Sequence, residues 1–202
     1  MSLQTLPAPA GPTRVEGDPD RVGLLLPGVG YAPDRPLLHF ARSVLVSLGW
    51  TTQEVWWPQV VPPERAAQRD WVDEQLLAAL QAESASKVIL VGKSLGTFGA
   101  RVAAQRQLPA IWLTPALNRE ENVADLRRAS APTLLIGSTG DRSWVAQEAR
   151  NLERDCPAIA YLEFESLDHA LEIKVDPVHS VEVLKRVVQA MERFVGDQVH
   201  TR

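Results

Sequence analysis

Residues 87–99 read KVILVGKSLGTFG, and this stretch decides the fold. The apolar run at Lys87–Val91 is typical of a buried strand. It leads directly into Gly92-Lys93-Ser94-Leu95-Gly96, a G-x-S-x-G motif, and a helical pattern follows over 95–106. A serine in this context is predicted on a tight strand-to-helix turn that raises its hydroxyl above the sheet. Glycines two positions before and two after the serine allow backbone segments to approach closely.

The rest of the chain repeats this alternation of short apolar runs and helical stretches. Strands are predicted at Val22–Leu26, Gln53–Trp57, Lys87–Val91, Ala110–Leu113, Thr133–Ile136 and Ile159–Phe164. Helices are predicted at 36–48, 64–82, 95–106, 143–154 and 177–195, with a short one at about 120–130. The last long helix has apolar residues three and four apart, at Val181, Leu184, Val188, Met191 and Val195, after a predicted N-cap at Asp176. The pattern indicates an α/β domain of about six parallel strands with helices on both faces. Ligands bind such sheets at the carboxyl ends of the strands.

Composition narrows the class of protein. The chain has 202 residues, 45% of them hydrophobic, and a formal net charge of −4, which argues against an electrostatic nucleic-acid binder. Cys156 is the only cysteine, so intrachain disulfides and thiolate zinc sites are excluded. The four histidines show no HExxH spacing, and we therefore expect no metal. We expect no organic cofactor either.

The chain is predicted to form one domain over 21–197. Residues 1–20 contain four prolines and little hydrophobic periodicity, so an extended or disordered arm is expected there, with a tail at 198–202. The first residues lack the basic start and apolar segment of a signal peptide. No apolar run approaches the roughly 20 residues that cross a bilayer. These features predict a cytoplasmic protein without membrane contact.

Two phosphate-binding interpretations of the glycine-rich strand ends fail. Gly28 and Gly30 follow the first strand, but a dinucleotide fingerprint needs a third glycine where Pro33 stands. Gly92-Lys93-Ser94 is similar to the end of a phosphate-binding loop, but that motif requires a glycine at the position of Lys87.

A serine nucleophile needs a base and an acid that orients the base. His39 and His179 lie within predicted helices and His200 in the tail, whereas His169 follows the last strand. Asp141 follows the preceding strand, so the chain order is serine, aspartate, histidine, as in a nucleophile-elbow hydrolase. Simpler interpretations stay open: an idle serine in a plain turn, a turn aspartate and a surface histidine. Asp168 is a rival acid, although a sequence neighbour is badly placed to orient the ring of His169.

The segments LLLPGVG, GKSLG, LLIGSTGD and DHALE, each at a strand end, resemble those of the α/β-hydrolase superfamily. The resemblance covers about residues 21–196 and is to small, lidless bacterial members of dienelactone-hydrolase-like type, here with a serine nucleophile. It implies that the first pair of strands of larger members is missing and that the first strand lies between the second and third. The chain departs from the family in having Ser94 instead of cysteine, Pro27 instead of a histidine, and one extra residue before Asp141.

An oxyanion hole is expected from two backbone amides. One is the N–H of Leu95, directly after the nucleophile, and the other is that of Val29 in the loop after the first strand. If the PGVG segment is only a turn, the second donor lies elsewhere in that loop.

The resemblance implies a serine hydrolase that cleaves small carboxylic esters or thioesters through an acyl-enzyme on Ser94. Only 19 residues, 114–132, separate the fourth strand from the fifth, too few for a lid domain, so the site is expected to be open. An acyltransferase using the same triad and a non-catalytic binding scaffold are the alternatives, and the oligomeric state stays open. Two sets of side chains are expected near the site. The mouth is expected to be lined by Trp57-Pro58 and Leu117-Asn118. The basic side chains near the strand ends either select an acidic substrate or form a solvated rim, and they are Lys93, Arg35, Arg119 and Arg142.

Overall fold

The computed structural model describes residue 9, residues 11–57 and residues 60–200, without the side chains at 199 and 200. In this part of the chain, seven strands form one sheet in the order β1-β3-β2-β4-β5-β6-β7. Their bounds are Arg14–Val15, Asp18–Leu26, Trp50–Glu54, Lys87–Lys93, Ala110–Leu113, Thr133–Ser138 and Ile159–Phe164, for β1 to β7. Strands β2 to β7 are parallel, whereas β1 pairs antiparallel with β3. The predicted parallel sheet is confirmed.

Helices cover both faces of the sheet. The α-helices α1 to α6 span Pro36–Ser47, Arg65–Gln81, Ala100–Arg106, Glu120–Leu126, Ala146–Asp155 and Pro177–His200, and a 3₁₀ helix spans Ser94–Gly99. Helices α1 and α6 pack on one face, with Leu38, Leu45, Val187 and Met191 in the core beneath them. The other four α-helices cover the opposite face, where Leu76, Leu90 and Trp112 are buried. The strands are buried on both faces, which accounts for their continuous apolar sequences.

The strand order agrees with the implied topology. Strand β2 lies between β3 and β4, as the resemblance requires. The expected loss of the first two strands is wrong in one respect, because the two-residue β1 occupies the edge beside β3. At this edge, β1 and the residue before it pair with backbone groups of β3 that would otherwise lack a partner strand. The Glu54 N–H, for example, donates to the Thr13 carbonyl at 2.8 Å.

The predicted domain boundaries are too narrow. Strand β2 begins at Asp18 and the Gly17 N–H donates to the Thr51 hydroxyl at 2.9 Å, so the domain starts before residue 21. At the other end α6 continues to His200, into the predicted tail. Residues 1–8, 10, 201 and 202, which belong to the predicted arm and tail, lie outside the described residues.

Two predicted elements are shifted. Strand β3 runs over Trp50–Glu54 and not Gln53–Trp57, because Trp50 and the two threonines after it pair with residues of β2. Trp57 is buried beyond the end of this strand. In α6, Val181 is 65% exposed, and the buried positions are Val183, Val187, Ala190, Met191 and Val195. The Asp176 carboxylate accepts the His179 N–H at 2.9 Å, which confirms it as the N-cap.

No helix in the described part of the chain is long and apolar enough to cross a membrane.

Candidate active site

The turn after β4 holds Ser94 in a strained conformation. Its φ of +53° lies in the left-handed region, which non-glycine residues seldom adopt. A Cβ at Gly96 would lie 2.3 Å from the Leu26 carbonyl oxygen, and one at Gly92 would lie 2.6 Å from the Trp112 ring. The two motif glycines are therefore required by close packing. The turn is the predicted one, with Ser94 at the carboxyl edge of the sheet.

Three side chains from separate strand ends form a hydrogen-bonded chain. Ser94 Oγ lies 2.8 Å from His169 Nε2, and His169 Nδ1 lies 2.7 Å from Asp141 Oδ2. Ser94 follows β4, Asp141 follows β6 and His169 follows β7. A carboxylate only accepts, so Nδ1 carries the ring proton and Nε2 accepts the serine hydroxyl. The structure thus brings together all three side chains predicted from the sequence.

The environment of Asp141 favours its charged form. Asp141 is 4% exposed, and burial by itself raises the pKa of its carboxyl. The hydrogen bonds from His169 and from the Ser143 N–H, the latter 2.9 Å long, outweigh this and hold the pKa of Asp141 below its ordinary value. The rival Asp168 instead accepts the N–H groups of Ala170 and Glu172 and stabilises its own loop.

The loop after β2 is held against the serine turn by one carbonyl. The Pro27 oxygen accepts the Gly96 N–H at 3.0 Å and the Trp57 indole N–H at 3.1 Å. Gly28 and Tyr31 then exchange backbone hydrogen bonds, which makes residues 28–31 a tight turn with Val29 at its tip. Val29 and Leu95 line one cavity with Ser94. The two residues predicted to supply the oxyanion donors therefore line the same cavity as Ser94.

Lys93 is buried directly beside the nucleophile. It is 2% exposed, and its ammonium lies 4.8 Å from the centre of the Tyr31 ring. Burial lowers the pKa of Lys93 to about 8, although the negative charges of Asp141 and Asp168 oppose that shift. Burial also raises the pKa of Tyr31 to about 12. The rim interpretation is wrong for Lys93.

A cavity of about 190 Å³ opens at Ser94. Its wall is formed by the serine turn, the start of α2 and the segment after β5, with lining residues Val29, Arg65, Gln68, Ser94, Leu95, Phe98, Ala116, Asn118, Arg119 and Ser143. The segment between β5 and β6 contains only the seven-residue α4. A second cavity, of about 380 Å³, adjoins this one and shares Asn118.

The structure distributes the other predicted site residues unevenly. Arg119 and Asn118 line the cavity at Ser94, and Leu117 lines its neighbour. Arg35 and Arg142 are exposed and line neither cavity, as expected for a solvated rim. Trp57 is buried against Trp71 and is absent from both cavity walls. Pro58 lies outside the described residues.

Besides Phe98, Ala116 and Ser143, two lining residues of α2, Arg65 and Gln68, were missed by sequence reasoning. They come from the first turn of α2, far from the motif in sequence, and only their i, i+3 spacing on one helix face links them to each other. In the described part of the chain, no group of three His, Cys, Asp or Glu side chains could hold a metal ion.

Comparison with known proteins gives matches in structure only. No protein-family model and no curated protein matches the sequence. Est1E from Butyrivibrio proteoclasticus, solved with ferulic acid bound, superimposes with a TM-score of 0.72 at 11% identity, over 93% of this chain and 94% of that one. XC6422 from Xanthomonas campestris, described as an α/β serine hydrolase without a lid, gives 0.68 at 17% identity over 100% and 96%. An α/β serine hydrolase homologue from Coxiella burnetii gives 0.67 at 14% identity over 88% and 89%.

The chain has the α/β-hydrolase fold. At these sequence identities the likeness establishes the fold and not an activity, because one fold serves many functions. The α/β-hydrolase fold does explain why Ser94, Asp141 and His169 meet: in a parallel sheet the loops after β4, β6 and β7 all open at the same edge.

Proposed function

We propose that the chain is a serine hydrolase that cleaves small carboxylic esters or thioesters. One observation carries the proposal: the hydrogen-bonded chain from Ser94 through His169 to Asp141 ends at a cavity. A serine turn without such a base and acid would be compatible with a merely structural role.

Each side chain has one task in this reaction. As Ser94 Oγ bonds to the acyl carbon, its proton passes to His169 Nε2, while Asp141 holds the ring and balances the imidazolium charge. The carbonyl electron pair moves onto oxygen and forms a tetrahedral oxyanion. When this collapses, the bond to the alcohol or thiol breaks and the leaving group takes the proton from His169. Water then attacks the acyl-enzyme by the same proton transfers and releases Ser94.

The amides of Val29 and Leu95 are proposed to bind the oxyanion. Leu95 is the second residue of a 3₁₀ helix, and the first N–H groups of a helix have no acceptor within it. The Pro27 carbonyl fixes the Val29 loop to the same helix through Gly96, so both donors are held before substrate arrives. Donors arranged in advance contribute about 3 kcal/mol each to the stabilisation of the transition state.

The size of the site favours small substrates. A cavity of about 190 Å³ accommodates a short acyl or alkyl group but not a long lipid chain. The seven-residue α4, between β5 and β6, leaves the serine accessible to esters and thioesters of small molecules.

A fluorophosphonate probe tests this proposal on the purified protein. We expect stoichiometric labelling of the wild type, loss of labelling in Ser94→Ala, and at least a 100-fold slower rate in His169→Ala. Ser84→Ala and His179→Ala are matched controls, because both residues lie outside the site. Hydrolysis of phenyl acetate that persists in a folded Ser94→Ala protein contradicts the proposal. A folded wild type that is never labelled favours a binding scaffold instead.

A further inference from the structure

The cavity at Ser94 has a wall of cationic and amide side chains. Arg65 and Gln68 approach from the first turn of α2, and Asn118 and Arg119 from the segment after β5. The Gln68 side-chain N–H₂ donates to the Pro62 carbonyl at 3.0 Å, and that of Asn118 donates to the Arg142 carbonyl at 3.2 Å. Both amide groups are therefore held in place by the backbone beside the arginines.

These two arginines differ from the arginines next to them. Arg69 makes a two-pronged pair with the buried Asp125, at 2.7 and 2.5 Å, and Arg101 pairs with Asp73 and Asp70. Within the described residues, no carboxylate lies within ion-pair distance of Arg65. Helix α2 thus uses Arg69 for the fold, whereas Arg65, an exposed residue of the cavity wall, has no carboxylate partner among the described residues.

Arg119 is only weakly engaged. Its ion pair with Glu121 has a nitrogen–oxygen distance of 3.4 Å, and Glu121 is outside the cavity wall. Among the described residues that line the cavity, none is acidic. The acid nearest to Ser94 in the hydrogen-bond chain, Asp141, is occupied by His169. Two arginines therefore line a small space whose own wall, among the described residues, carries no negative charge.

We infer that the substrate carries an anionic group, a carboxylate or a phosphate, which Arg65 and Arg119 bind while its ester or thioester carbonyl lies at Ser94. The placement of the ester or thioester carbonyl at Ser94 rests on the proposed hydrolase activity. A planar guanidinium donates two parallel hydrogen bonds to a carboxylate or phosphate, and two such groups, one from α2 and one from the segment after β5, would fix both the position and the orientation of the anion. Gln68 and Asn118 supply neutral polar surface around it.

Binding to the Ser94→Ala protein tests the anion site without turnover. Isothermal titration would compare 4-acetoxybenzoate with 4-acetoxybenzamide, which differ in charge but hardly in shape. We expect the carboxylate to bind about 10- to 100-fold more tightly, and the difference to fall below threefold when Arg65→Gln and Arg119→Gln are added. Arg106→Gln is the matched control, because Arg106 is an exposed arginine at the far end of α3. Equal affinity for the two compounds overturns the inference.

Kinetics on the wild type separate the two proposals. We expect kcat/KM for 4-acetoxybenzoate, or for the monoanion of phenyl terephthalate, to exceed that of the matching carboxamide at least tenfold. 4-Acetoxyphenyl phosphate is compared with a neutral counterpart in the same way. A still larger ratio of the two kcat/KM values identifies phosphate as the better anion. Equal rates for every charged and neutral pair, abolished by Ser94→Ala, leave the hydrolase proposal standing and overturn the anion site. Arginine-dependent binding without hydrolysis of any ester supports the anion site and overturns the hydrolase proposal.

Discussion

The two sides of Ser94 are built on different principles. On the side of β6 and β7, Asp141 and His169 are joined to the serine by hydrogen bonds of 2.7 and 2.8 Å, and each polar group has its partner within the protein. On the side of α2 and the segment after β5, Arg65 and Arg119 face a cavity with weak partners or none among the described residues. The first side is complete by itself, whereas the second has unused donors.

This difference separates the groups that would carry out the reaction from those that would select the substrate. Groups that must transfer a proton need fixed distances, so the protein satisfies them internally and buries the acid. Groups that recognise a substrate must exchange water for the ligand, so they stay accessible. We therefore expect changes on the first side to abolish turnover, and changes on the second to alter which ester is turned over.

The largest effect is expected from Asp141→Asn. The amide keeps the shape of the carboxylate but cannot hold the Nδ1 proton of His169 or balance the imidazolium charge. We expect kcat for phenyl acetate to fall about 10³- to 10⁴-fold with little change in KM. Asp168→Asn is the matched control, because that carboxylate accepts hydrogen bonds from backbone amides of its own loop. We expect it to lower kcat less than tenfold. Equal losses in the two variants contradict the assignment of the acid.

The next effect is expected from Gly96→Ala, which breaks the turn between the two sides. The new methyl group would lie 2.3 Å from the Leu26 carbonyl oxygen, so backbone must move. We expect a loss of about 3 kcal/mol in the free energy of unfolding, and slower fluorophosphonate labelling.

Gly196→Ala is the counterpart in α6. There the added methyl group meets nothing within 4 Å, and helix propensity predicts a gain of about 0.5–1 kcal/mol. Urea unfolding measures both changes. A Gly96→Ala protein as stable as the wild type contradicts the close contact at the turn.

A smaller effect is expected from Lys93→Met, which removes a buried charge on the triad side. Burial lowers the folded-state pKa of Lys93 from 10.5 to about 8, so at pH 7 the folded protein holds the ammonium at a cost of at most about 3 kcal/mol. Relaxation around the charge reduces this, and we expect the variant to be about 1–2 kcal/mol more stable at pH 7.

The pH dependence gives the sign of the Lys93 effect. Above pH 8 the folded wild type releases the proton, whereas the unfolded chain keeps it up to about pH 10.5, so the wild type gains stability over this range. The advantage of Lys93→Met should therefore shrink from pH 8 to pH 10.5 in urea titrations. Lys185→Met, at an exposed position of α6, should show no such trend.

The triad side could be predicted from the sequence because its signals are local. The serine turn is contained in thirteen consecutive residues, and its glycines, strand and helix all have their own patterns. Asp141 and His169 follow strands that are recognisable as apolar runs, and a parallel sheet brings such loops together. The three distances could not be predicted, but the meeting of the residues could.

The cavity side could not be predicted in the same way. The sequence predicts the start of α2 to within one residue, but it does not predict that this first turn, with Arg65 and Gln68, lies beside Ser94. The burial of Lys93 was not predictable either, because charged residues are mostly exposed as a general rule. In the structure Gly28 packs against its stem and the Tyr31 ring lies at its ammonium. Tertiary contacts of this kind have no signature in a single sequence.

The left-handed backbone at Ser94 also bears on which nucleophiles suit this site. At a φ of +53°, an unbranched side chain such as that of serine or cysteine is accommodated more easily than a β-branched one. Thr114, at a φ of +46°, shows that the chain does hold a threonine in the left-handed region. A threonine in place of Ser94 would therefore be strained without being sterically excluded, and the backbone favours an unbranched attacking group before any question of reactivity.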